Sequence, residues 1–147
     1  MGSTFLGDQP SGANVRTVQT LASVASNGAN AIAGSIGAGI FRAPQALQLD
    51  SAWFEPTGAD SAAANASSYR QLTVINAGQD GTGTTVLASL NLVASQGSNT
   101  TRALSLAATP TVAAGAIVAI QHATVGGAHS AGTVLVACNY HSNFRPI

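Results

Sequence analysis

The sequence predicts an all-β chain built as an antiparallel β-sandwich or barrel, and three observations carry that prediction. In the C-terminal half, short runs alternate apolar and polar residues, the period of a strand with one buried face. Breaks rich in Gly, Asn and Pro recur about every ten residues, the spacing of turns in sandwiches and barrels. Gly, Ser, Thr, Val and Asn recur too closely for a long uninterrupted helix. The 147 residues fit one domain with a sizeable core. A hydrophobic content of 46% with only 7% charged residues argues against disorder.

Taken in order, residues 1–28 hold scattered hydrophobes (Phe5, Leu6, Val15, Val18, Leu21, Val24) among Gly2, Gly7, Pro10, Gly12 and Gly28. No period links them, so this stretch reads as an extended N-terminal arm, with the sandwich domain spanning 29–147. "NAIAGSIGAGIFRAP" gives one or two strands that Pro44 ends. "QALQLDSAWFEP" (45–56) is the next strand and carries the single Trp; "TGADSAAANAS" (57–67) is a loop. "SYRQLTVINA" (68–77) is rich in β-formers and stops at the turn "GQDGTG". "TTVLASLNLVAS" (84–95) alternates, with Val86, Ala88, Leu90 and Leu92 on one face and Thr85, Leu87, Ser89 and Asn91 on the other. "TRALSLAA" (101–108) is a short strand, and "TPTVAAG" turns the chain. "AIVAIQHA" (116–123) is nearly all apolar, as a central strand covered on both faces requires. "GTVLVACNY" (132–140) closes the series, Val134, Val136 and Cys138 alternating with Thr133, Leu135 and Ala137. Between these last two, "HATVGGAHSAGT" (122–133) reads as a long hairpin connection whose glycines supply positive φ.

Charge excludes several function classes. The chain has no lysine; Arg16, Arg42, Arg70, Arg102 and Arg145 are scattered, as are Asp8, Asp50, Glu55, Asp60 and Asp80, and the net charge is zero. Nucleic-acid binding needs clustered Lys and Arg to neutralise phosphates, so no nucleic-acid partner is expected. No run reaches the roughly 18 apolar residues of a membrane helix, and no membrane partner is expected. A neutral surface gives little protection against association, which points to burial against other chains and a stable oligomer.

No catalytic, metal or cofactor constellation emerges. Cys138 and His141 have two residues between them, and His122 and His129 lie nearby in sequence. Zinc sites need such ligands aimed at one point, whereas these fall on apparent strands and a turn. Cys138 sits in an apolar run and reads as a small buried hydrophobe. "GSIGAG" (34–39) and "GQDGTG" (78–83) lack the lysine and following helix of a phosphate loop. There is no G-x-S-x-G elbow. The expectation is a non-enzyme without cofactors. Trp53, Phe54 and Glu55 are the one cluster with the look of a sugar platform, an aromatic beside a carboxylate; core or interface residues are the competing reading.

Four features in order, "FRAPQALQLDSAWF", "ANASSYRQLTVINAGQDGTGTTVLASL", "TPTVAAGAIVAIQHATVGGAHSAGTVLVAC" and the Ala-, Gly- and Thr-rich spacers between them, carry a family resemblance. From Phe41 to Cys138 the chain resembles the small β-sandwich proteins of tailed-bacteriophage virions: capsid decoration (cement) proteins and head-fibre or tail components. Ala116 departs from that pattern, which commonly has Asp there. The resemblance implies a jelly-roll-like sandwich, a homotrimer, the major capsid protein as partner, a place on the capsid exterior, and assembly in the host cytoplasm. Phe5, Leu6, Val15, Val18, Leu21, Trp53 and Phe54 are then the candidate capsid or protomer contacts. The alternative is a receptor- or carbohydrate-binding module of a head fibre or tail.

Overall fold

A computed structural model of the chain describes residues 16–23, 36–56, 67–93, 100–125 and 133–142. They form nine strands: β1 (Arg16–Ser23), β2 (Ile36–Arg42), β3 (Leu47–Pro56), β4 (Tyr69–Asn76), β5 (Thr85–Leu92), β6 (Arg102–Leu106), β7 (Thr111–Val112), β8 (Ile117–Val125) and β9 (Thr133–Ser142). Every pairing is antiparallel.

The strands run β1-β9-β3-β6-β5-β4-β8-β2, with β7 on the flank of β3. Folded at β6, this path gives two four-stranded layers, β1-β9-β3-β6 and β2-β8-β4-β5; the chain alternates between them from β1 to β4, stays in the second layer for the β4–β5 hairpin, and crosses again to β6, β8 and β9. That connectivity is a jelly roll, and the expected fold class is the one the chain adopts. β6 makes the corner: Arg102–Leu104 pair with β3, whereas Ser105 and Leu106 pair with β5. A strand that leaves one sheet for the other in this way is how sandwiches turn corners. At the opposite seam β1 and β2 come within 8 Å without pairing. Phe41 of β2 stacks there on Tyr140 of β9, centroids 5.1 Å apart and planes at 17°.

The core lies between the layers. Leu47, Leu49, Ala52 and Phe54 of β3, with Val136 and Cys138 of the neighbouring β9, face Leu72 and Val74 of β4 and Val118 and Ile120 of β8, all buried. Period-two alternation puts these residues inside, and bulges re-phase it twice. In β3 the register with β9 shifts between Leu49 and Ser51, so Asp50 is the inserted residue and Ala52 and Phe54 return to the core. In β5 the shift against β4 falls at Leu87. Leu87 and Ala88 are therefore both fully buried while Val86 is turned out. The strict alternation expected for 84–95 fails at that point, because one extra residue flips every side chain before it.

Two further expectations need correction. Residues 16–23, read as arm, are an edge strand: β1 pairs with β9 along all eight residues, and Val18 packs against the core. Thr, Val and Gln alternate here with too few large hydrophobes to show a period. The stretch 122–133 does not join hairpin partners, since β8 pairs with β2 and β4 and β9 with β1 and β3. It crosses between layers. His122 belongs to β8 and is buried, while 126–132, with His129, lie outside the described residues.

Antiparallel pairing sorts the connections onto two ends. Those at 24–35, 57–66, 94–99 and 126–132 leave from one end, where Ser23 pairs with Thr133, Pro56 with Val134 and Tyr69 with Val125. The other end carries 43–46, 77–84 and 107–116, together with the start of β1 and the finish of β9.

Candidate functional site

The first surface with organised chemistry is the outer face of the β1-β9-β3-β6 layer. His141 of β9 and Asp50 of β3, 91 residues apart in sequence, meet at 2.6 Å between Nδ1 and Oδ1, both half-buried. Asp50 is the residue inserted at the β3 bulge, one strand over from His141. Next to them Thr17 Oγ1 donates to Asn139 Oδ1 at 2.6 Å, tying β1 to β9. Trp53 lies half-buried on the same face, its backbone paired with Ala137 and Ala103. Beyond it, Glu55 Oε2 accepts a hydrogen bond from Thr101 Oγ1 at 3.0 Å. Among the described residues the carboxylates on this face, Asp50 and Glu55, thus already have a partner from their own chain.

The second surface is the end bearing 43–46, 77–84 and 107–116, where three loops are cross-tied. Arg42 Nη1 donates to the Gly115 carbonyl at 2.6 Å and to the Gln79 carbonyl at 3.3 Å. Gln79 Nε2 donates to the Ala114 carbonyl. Backbone bonds run between Ala43 and Ala116, Gly115 and Ala43, and Ile117 and Gly78. The turn after β4 closes on itself, with Gly78 N–H donating to Asn76 Oδ1 and Thr82 N–H to Asp80 Oδ1. The backbone bond from Thr82, then its side chain, holds the exposed Asp80 carboxyl below the usual carboxylate range. Gly83 has no substitute here, since a Cβ would sit 2.8 Å from the Asn76 carbonyl oxygen. Between Arg16, Pro44, Gln45, Tyr140 and Ser142 lies an open cavity of about 210 Å³.

The expected contact residues scatter. Trp53 is on an outer face, but Phe54, the next residue, points inward and is 1% exposed. From there it meets no partner while the sandwich is closed. Val18 also packs inward, and Leu21 belongs to β1. Phe5, Leu6 and Val15 lie outside the described residues. The Cys138–His141 spacing cannot hold one metal ion: Cys138 faces the core, His141 the outer surface, because residues three apart on a strand point opposite ways. The Asp50–His141 pair was invisible in sequence, since only the β3–β9 register joins the two.

Burial pushes the Cys138 thiol up to about 12. The thiolate is the reactive form, so Cys138 should resist a thiol reagent such as DTNB in the folded protein. It should react freely in strong denaturant. Stoichiometric reaction of the native protein within minutes would contradict its placement.

No protein-family model matches the chain, and no curated protein matches its sequence. Solved structures do. A chain of the cyanophage Pam1 capsid asymmetric unit superposes with a TM-score of 0.55 and 21% identity, over 97% of this chain and 92% of that one. A chain of infectious bursal disease virus strain Gx gives a TM-score of 0.32 and 14% identity, over 89% of this chain and 33% of that one. At 21% identity the first likeness is one of fold.

Proposed function

We propose that the chain is a structural virion protein, a decoration protein on the exterior of a tailed-phage head that binds across neighbouring major capsid subunits. The observation that carries this reading is the likeness to a chain of the Pam1 capsid unit across nearly the full length of both chains. Both coverages are high, so the chains are of similar size and the match is not to one domain of a much larger protein. The chemistry agrees: Asp50 and Glu55 on the outer face are bonded within the chain, and the chain carries no net charge and no lysine.

The mechanism is mechanical. A rigid sandwich attached at several equivalent sites turns weak contacts into strong net binding, and a homotrimer supplies three of them. In sedimentation equilibrium the purified protein should behave as a trimer; a stable monomer at micromolar concentration would contradict this. Mixed with undecorated capsids of the phage that carries the gene, it should pellet with them and raise the temperature at which they rupture. Protein left wholly in the supernatant would overturn the reading.

One observation favours the alternative, a receptor or carbohydrate module: Trp53 and Glu55 share an outer face. Trp53 is the only tryptophan, so its fluorescence reports on that face alone. Decoration predicts no change on titration with mono- and oligosaccharides, and a saturable emission shift would favour the alternative.

A further inference from the structure

We propose that His122 makes the sandwich acid-sensitive: the closed core holds its ring neutral, so acidification through the ordinary histidine range drives the domain towards unfolding. This inference does not depend on the decoration reading.

The buried polar side chains among the described residues are Arg70, Gln121 and His122, exposed by 7%, 8% and 3%. Two of them point into the sandwich. β4 and β8 pair without a register shift from Tyr69 opposite Val125 to Asn76 opposite Val118. His122 is therefore in phase with Val118 and Ile120 and stands opposite Leu72, all three in the core. Arg70 is in phase with Leu72 and Val74 and stands opposite Leu92 of β5, again core residues. On that shared face Arg70 and His122 are diagonal neighbours, a spacing of about 7–8 Å in an antiparallel pair.

These surroundings decide what a proton does. An imidazolium here gives up its hydration and gains a guanidinium as a neighbour, and both effects favour the neutral ring. The other described titratable and charged groups do not reverse this. β3 and β9 turn Phe54, Val136, Cys138 and Tyr140 inward, while Asp50, Glu55 and His141 are on their outer face. Arg16 of β1, Arg42 of β2 and the Asp80 turn are at the opposite end of the sandwich. Arg102, exposed beside Phe54, adds another positive charge at the near end. Tyr69 is out of phase with Arg70. Asp60 and His129 lie outside the described residues.

In the unfolded chain the same ring is hydrated and takes up its proton near pH 6.5. Below that value the unfolded chain then binds more protons than the folded one. The contribution to stability is therefore complete above it and is lost as the pH falls through it. With the folded ring still neutral at about pH 5, the folded-to-unfolded ratio drops about thirtyfold from its value at about pH 7.5.

The test is urea unfolding of the full chain at those two pH values, followed by circular dichroism. Wild type should lose at least tenfold in that ratio on acidification. His122→Leu should lose no more than a few-fold, whereas His129→Gln and His141→Gln should retain the wild-type loss. Proton NMR of the native protein gives a second readout that needs no variant to fold. One histidine ring resonance, identified by its cross-peak to the Leu72 methyls, should keep its neutral position down to about pH 5 while an exposed histidine titrates near its ordinary value. Wild-type stability that holds or rises on acidification would overturn the proposal, a rise being the sign of a carboxylate against His122. So would a loss that survives in His122→Leu, or a His122 resonance that titrates in the ordinary range.

Discussion

Phe54→Ala lowers the stability of the domain by about 3–5 kcal/mol, the range for removing a fully buried aromatic and leaving a cavity. Phe54 is among the largest fully buried side chains and sits mid-core, its backbone paired with Val136 on one side and Arg102 on the other. Urea unfolding should show a lower midpoint at an unchanged slope, the sign of lost stability without a change in surface exposed. Trp53→Ala should cost far less, because Trp53 is half-buried on the outer face. Equal losses at the two positions would contradict the phase of β3, since a slip of one residue exchanges its faces.

That pair of adjacent residues shows what the sequence could reveal. A strand over 45–56 was legible from its β-formers and from the turns on either side. Which of Trp53 and Phe54 points inward was not, because the bulge at Asp50 changes the phase midway. The same limit applies at Leu87, where alternation alone put Val86 with Ala88. β8 was read correctly as a covered strand: Val118 to Ala123 are all buried. Its partners were not legible, since β2 and β4, which flank it, come from distant sequence. The hairpin expected at 122–133 failed for that reason. The Asp50–His141 pair and the Arg42–Gln79–Gly115 ties are likewise products of long-range register.

Removing β1 should have the second largest effect. Deleting residues 1–15 should leave the unfolding midpoint unchanged if that stretch is an arm. Deleting 1–23 also takes β1, its pairing with β9 and the packing of Val18. The loss should be on the order of 3–5 kcal/mol, from backbone hydrogen bonds at about 1 kcal/mol each and the apolar surface of Val18. It also leaves β9 as an unprotected edge, so the shorter chain should aggregate at concentrations where the longer one does not. The two truncations separate the roles of this region, since reduced capsid binding after deletion of 1–15 alone would then come from lost contacts and not from a damaged fold. Equal stability of both truncated proteins would contradict the assignment of β1 to the sheet.

The most direct measurement is cryo-electron microscopy of the virion of the phage that carries the gene. The account predicts a jelly roll of this topology on the outside of the head, repeated over neighbouring capsid subunits. Finding the chain absent from the head, or present only on a fibre or tail with the Trp53 face bound to a receptor, would contradict it.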